Sequence, residues 1–358
     1  MKKYLFIMAT AAMFAACSSN DDPVIDNNKQ DSEVAIGFGS TYVSKTTKAE
    51  ITTDWFTTDG NAFGVYGFKY GEANANTLQL YTNEKVTYVG EDADWTNPTK
   101  RYWDKSVESD YHFYAYAPYS DSDVTFTRTG ASTGDACGFT YKLDQVVTPA
   151  SSADAVDLVV ARVIDTDYYQ CYYPGTSTAS DGHVTFIFHH ALSKLTFDVV
   201  KDDDLKDETI TITDIDVAFP TVDPETGEIT WTQTDKDSDT GTTTYTGLEE
   251  PDKDTTKDPI LDGGDQEVTG KQEHVEGVPE YIVTPSGEGE THTIEISVTY
   301  EITYEDGTVE TQTSTGEVVI DFDENGHYTV VIKIKPALIE FDVDKVEEWT
   351  NKNSGTIF

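Results

Sequence analysis

The stretch EVAIGFGSTYV, Glu33 to Val43, places Val34, Ile36 and Phe38, and then Tyr42, mainly on one face. Apolar residues at every second position are the signature of a β-strand with one side buried. The rest of the chain shares the bias. It holds 21 Tyr and 16 Phe against 3 Met, with Thr abundant, a composition suited to pleated, half-buried surfaces. No helix of convincing period and no repeat of fixed length stands out. The expected class is all-β.

Upstream of this strand, Lys2 and Lys3 begin the chain, Tyr4 to Ala15 form an apolar run, and Ala15-Ala16 lead into Cys17. The run is shorter than the roughly 20 residues a helix needs to cross a bilayer, and it has the form of a secretory signal ending in a bacterial lipobox. Cleavage before Cys17 would leave that residue N-terminal, its sulfur carrying diacylglycerol and its amine acylated. Each buried methylene of such chains contributes about 0.8 kcal/mol of membrane attachment. The following SSNDDPVIDNNKQDSE has too little apolar surface to offset its chain entropy and reads as a tether. An acidic run directly behind a lipidated Cys also resembles the surface-export signal of lipoproteins in some Gram-negative bacteria. The expected address is the outer face of the outer membrane.

With 358 residues, 37% of them hydrophobic, the chain is long enough for two domains of ordinary size. Its 66 acidic and 24 basic residues give a formal charge of −42, and loss of Lys2 and Lys3 with the signal takes this to −44. Such a charge repels nucleic-acid phosphates and anionic lipid surfaces alike, so no nucleic-acid partner is expected and attachment falls to the lipid. With Cys17 assigned to lipid, Cys137 and Cys171 remain, either as a disulfide in an oxidising compartment or as two free buried thiols.

Downstream, strands are expected at Phe63 to Tyr70, Gln79 to Tyr81, Glu84 to Val89, Tyr111 to Tyr116, Val124 to Thr127, Cys137 to Val146 and Asp157 to Val163. The Pro-, Gly- and Ser-containing segment Tyr172 to Gly182 separates these from a second set and marks the domain boundary. That set opens with a strand pair in Val184 to Val200, broken by a bulge or short crossing at His190 to Ser193. It continues through Thr209 to Phe219, Ile229 to Trp231, Tyr281 to Thr284, Thr293 to Tyr304, Val309 to Phe322, Tyr328 to Ile334 and Ala337 to Val343. Regular strands joined by DG, TG and NG turns indicate sandwiches. The expected organisation is a signal peptide (1–16), a lipidated tether with the first strand (17–48), an N-terminal β-sandwich (49–181) and a C-terminal one (182–358). The last contains an acidic insertion at about 232–277, either a long loop or a decorated insert.

The order of a lipobox, AIGFGS, Thr47-Lys48-Ala49, Trp55 and FGVYGF resembles the fimbrillin-like surface lipoproteins. So do the later pieces RYWDKSVESDYHFYAYAP, DLVVARV, FIFHHALSKLTFDV and NGHYTVVIKIKPALIEFDVDKVEEW, and the likeness runs through nearly the whole mature chain. The resemblance implies two transthyretin-like β-sandwiches in tandem and a role as shaft, anchor or tip subunit of a type V pilus. It implies partners that are other pilus subunits, as a homo- or hetero-polymer, and a host or bacterial surface ligand for a tip. In that family a trypsin-like protease cuts near the first strand, and a strand from another subunit fills the opened groove by β-strand addition. On this chain the cut falls at Lys48-Ala49, where relatives often have Arg, with Lys45 as a second site. The removable strand carries Val34, Ile36 and Phe38, and the donor segment carries Ile339, Phe341 and Val343.

Chemistry is sparse. Asp321 to Gly326 matches the first half of a calcium loop, but its twelfth position is Ile332 where a bidentate Glu is needed, so a hairpin turn is expected. His189 and His190 are adjacent in an expected strand, point to opposite faces and read as structural. No nucleophile-elbow, zincin, P-loop or dinucleotide motif occurs in the mature chain, and the carboxylates are too numerous to nominate a pair. No enzyme activity, metal or cofactor is expected. The alternative is a surface glycan binder stacking sugars on Trp55, Trp95, Tyr102 and Trp103, against which stands their use in capping a core.

Overall fold

The computed structural model describes residues 34–38, 51 and 53–346, except 71–76, 91–94, 106–109, 129–136, 143–146, 153–154, 167–181, 223–226, 234–241, 250, 252–256, 287–289 and 337. The chain is all-β, and its single described α-helix is the one turn Thr53–Phe56.

A six-stranded antiparallel sheet runs in the order His189–His190, Val159–Thr166, Asp110–Ala117, Ala62–Tyr70, Leu78–Tyr88, Trp95–Thr96. Both its faces are buried. Phe63, Val65, Phe113, Ala115, Val159 and Ala161 enter one core, while Tyr66, Phe68, Tyr70, Tyr114, Tyr116 and Val160 enter another. Ala62–Tyr70 lies so close to its neighbours that a Cβ at Gly64 would stand 2.3 Å from the Tyr116 ring, which is why this central strand uses glycine. Against the Tyr66 face packs a four-stranded antiparallel sheet ordered Thr242–Thr246, Glu228–Gln233, Cys137–Lys142, Val124–Arg128.

A third core lies between two further sheets. One is ordered Leu338–Val346, His327–Lys335, Ser193–Lys201, Tyr281–Val283, Val147–Pro149, and the other Asp258–Val268, Thr209–Ala218, His292–Thr303, Val309–Ile320. Leu195, Phe197 and Val199 alternate inward opposite Tyr328, Val330 and Ile332. A bulge between Ile212 and Asp214 resets the phase, so that Ile210 and Ile212, then Ile215 and Val217, all face the core.

Several expectations need correcting. Gln79 to Tyr81 and Glu84 to Val89 are one strand, Leu78–Tyr88, which Asn83 carries through a positive φ of 48°. The acidic insertion at 232–277 contains strands. Its described parts hold Thr242–Thr246 and Asp258–Val268, edge strands with one face in solvent, where apolar residues are not needed. Asp321 to Gly326 is not a hairpin turn: it joins Val309–Ile320 to His327–Lys335, which belong to different sheets. Cys137 is a buried free thiol, one of the two alternatives the sequence leaves open, and Cys171 lies outside the described residues. Burial pushes that thiol up to about 11.

Strands from the two sides of the 181/182 boundary pair with each other. His189–His190 joins Val159–Val160, Glu228–Gln233 joins Cys137–Lys142, and Tyr281–Val283 joins Val147–Pro149. Val184, Phe186 and Phe188 belong to the first core, so residues 183–190 complete the N-terminal half and the crossing to the other half comes at Ala191-Leu192.

Candidate functional site

Residues 34–38 fill a slot on the first core, between two segments of chain. On one side the Ile36 amide donates to the Arg101 carbonyl (2.8 Å) and the Trp103 amide donates to the Val34 carbonyl (3.0 Å). On the other, Gly37 and Phe38 pair in parallel with His183 and Val184. The alternation read from sequence is present: Ile36 and Phe38 are buried at 2% and 1% exposure, Val34 is partly buried against the same core, and Ala35 faces out.

The floor of the slot is aromatic. The Phe38 ring stacks on Phe186 (5.9 Å between centroids) and meets Tyr81 (5.4 Å), Phe113 (6.0 Å) and Phe63 (6.5 Å) edge-on. Burying Ile36 and Phe38 contributes about 1.5–3 kcal/mol each, with aromatic pairs adding about 0.5–1.5 kcal/mol. At the Val34 end, Trp103 Nε1 donates to the Gly182 carbonyl (2.8 Å). Gly182 has φ +81°, and a Cβ there would come within 2.9 Å of Val34. At the Phe38 end, Gly37 lies against His183, where a Cβ would stand 1.9 Å from the imidazole.

Where the described chain resumes after residue 38 it is pinned again. The Ile51 amide donates to Asp157 Oδ2 (2.9 Å), and the other carboxylate oxygen takes the His190 Nδ1 hydrogen bond (2.9 Å). Asp157, His190 and Ile51 are all buried. Five residues on, Phe56 is fully buried and stacks on Phe188 at 4.6 Å. His190 is structural, as expected from sequence. Asp157 and His183 were missed, and a lone Asp before an apolar run, or a His after Asp-Gly, carries no local signal of either contact.

The expected donor residues sit in Leu338–Val346, which pairs antiparallel with His327–Lys335 over nine positions at the edge of its sheet. Ile339 is buried, Phe341 and Val343 pack on the third core, and Glu340, Asp342 and Asp344 face out. Cys17, Lys45, Lys48 and Ala49 lie outside the described residues. Of the four aromatics that could stack on sugars, Trp95 and Trp103 are core residues, Trp55 packs against Phe56, and Tyr102 is 48% exposed. Among the described residues no cluster of three His, Cys, Asp or Glu could hold a metal ion, and no helix is long and apolar enough to cross a membrane.

A fimbrillin-like family model matches residues 47–349. The chain belongs to the fimbrillin-like family. Among solved structures it is similar to a candidate cell adhesion protein of Bacteroides uniformis, at 19% identity and TM-score 0.41, with 90% of this chain and 100% of that one covered. It is also similar to the tip fimbrial protein Mfa3 of Porphyromonas gingivalis, at 10% identity and TM-score 0.30 over 82% and 96%. The fimbrial anchor protein Mfa2 of the same organism aligns at 9% identity and TM-score 0.28 over 88% and 97%. No curated protein matches the chain. Membership of the fimbrillin-like family supports a pilus subunit or adhesin of the cell surface.

Proposed function

We propose that this protein is a non-enzymatic surface lipoprotein, anchored through Cys17, that enters a fimbrium as a subunit primed by loss of its first strand. Cleavage at Lys48-Ala49 frees Val34, Ile36 and Phe38 from their slot. A strand from another subunit then replaces them, pairing with the exposed backbone of Arg101–Trp103 and His183–Val184 and docking alternate side chains on the aromatic floor. The chain in turn donates Ile339, Phe341 and Val343, already arrayed on one face of an edge strand. The observation that supports this reading is the seating of residues 34–38. They are a short strand, hydrogen-bonded on both sides and with Ile36 and Phe38 buried in the core, and the chain is pinned afresh at Ile51 by Asp157. Removing what precedes Ala49 would open an acceptor groove without loosening the segment from Ile51 to Phe56.

The test is mass spectrometry of N-termini in shed filaments and in membranes, with Lys48→Ala alongside. The reading expects filament copies that begin at Ala49 and a variant that keeps its lipidated Cys17 and stays out of filaments. Filaments built normally from copies that all retain Cys17 would refute processing.

A further inference from the structure

The slot that holds residues 34–38 is not uniformly permissive. The first position, Val34, is only partly buried, and the second, Ala35, is in solvent. The third and fifth, Ile36 and Phe38, drop into the core. The fourth is Gly37, paired with His183, where an added Cβ would lie 1.9 Å from imidazole Cδ2, 2.4 Å from Nε2 and 3.2 Å from Cγ. His183 is fixed from both sides: the preceding Gly182 carbonyl is held by the Trp103 indole, and the following Val184 is fully buried. Its backbone cannot retreat, so any side chain at the fourth position must drive the imidazole out of its place.

We infer that His183 is a selectivity gate, and that the slot takes a strand of the pattern apolar, any residue, apolar, glycine, aromatic, running parallel to His183–Val184. This rests on the strand-replacement reading and adds which strand is taken. The chain's own Leu338–Val346 does not satisfy the pattern. With Ile339, Phe341 and Val343 in the places of Val34, Ile36 and Phe38, the gate meets Asp342. Shifted by two, with Phe341 in the place of Phe38, it meets Glu340. In both registers an acidic side chain lands where glycine is required. The fitting occupant is therefore a strand of another subunit that carries glycine at the fourth place, which Leu338–Val346 lacks.

The experiment reads hydrogen exchange of the Trp103 amide, whose acceptor is the Val34 carbonyl, in the full uncut chain. Amides of the Ser193–Lys201 and His327–Lys335 pair, in the third core, report whether each variant is folded. Gly37→Ala should speed Trp103 exchange at least tenfold, Gly37→Asp should do the same or more, and His183→Ala added to Gly37→Ala should bring the rate back to within threefold of wild type. Unchanged exchange in Gly37→Ala, absence of rescue by His183→Ala, or a Gly37→Asp strand that stays seated would each overturn the gate. These measurements need no cleavage, so a failure of processing at Lys48 would sink the functional reading and leave this result standing.

Discussion

Truncating Phe38 to alanine tests whether the first strand is held by its aromatic floor. The ring is fully buried among Phe63, Tyr81, Phe113 and Phe186, with the stacked Phe186 partner 5.9 Å away. Phe→Ala at such a site costs about 3–5 kcal/mol, the transfer of the ring plus the cavity it leaves. Because residues 34–38 are tied to the body by only a few hydrogen bonds on each side, the penalty falls on their seating and not on the fold. A loss of 3 kcal/mol lowers the docked-to-undocked ratio by about 150-fold. Hydrogen exchange at the Ile36 and Trp103 amides should accelerate by about that factor, while urea unfolding of the remaining core shifts far less. If both amides exchange within about threefold of wild type while Phe38→Ala is folded, the strand is held by something other than this contact, and the slot is not an apolar groove in waiting.

Three further outcomes follow from the same structure. Asp157→Ala removes the buried acceptor of both the Ile51 amide and the His190 ring, and should cost about 1–3 kcal/mol for each group left without it in chemical denaturation while exposing the 51–56 segment to added protease. His327 is held down to about 4 by burial first and by Lys194 second, against 6.5 when free. The unfolded chain therefore binds a proton that the folded chain refuses. Stability from this group is full above about pH 6.5 and is lost as pH falls toward 4, by up to about 3 kcal/mol, so His327→Gln should flatten the wild-type stability curve over that interval. Cys137, with its thiol pushed up to about 11 by burial, should resist alkylation at pH 7 in the native state and react fully in denaturant; rapid native labelling would contradict its placement in the core.

Alternation carried the fold into view wherever a strand buries one face. Leu195 to Val199 and the inward Ile and Val of His292–Thr303 could be read directly, because sequence period and pleat agree. The first strand was legible for the same reason at Ile36 and Phe38, with Val34 partly buried beside them and Tyr42 outside the described residues. Legibility failed where the decisive partner is distant. The acidic tract gave no sign that Thr242–Thr246 and Asp258–Val268 would close two sheets, since an edge strand with a solvated face needs little apolar content. The boundary at 181/182 looked like a linker because Pro, Gly and Ser cluster there, yet Val184, Phe186 and Phe188 return to the first core. Asp157 and His183 act through backbone atoms 106 and 146 residues away, at Ile51 and Gly37, and no local pattern encodes that.

The central claim is that a strand from another subunit takes the place of residues 34–38. A photocrosslinking phenylalanine placed at Tyr81, whose ring sits 5.4 Å from that of Phe38, reports directly on what fills the slot. In assembled filaments the account predicts crosslinks from this position to a peptide of a different subunit, and none to residues 34–38 of the same chain. Crosslinks to the chain's own Val34–Phe38 in every assembled copy would contradict it.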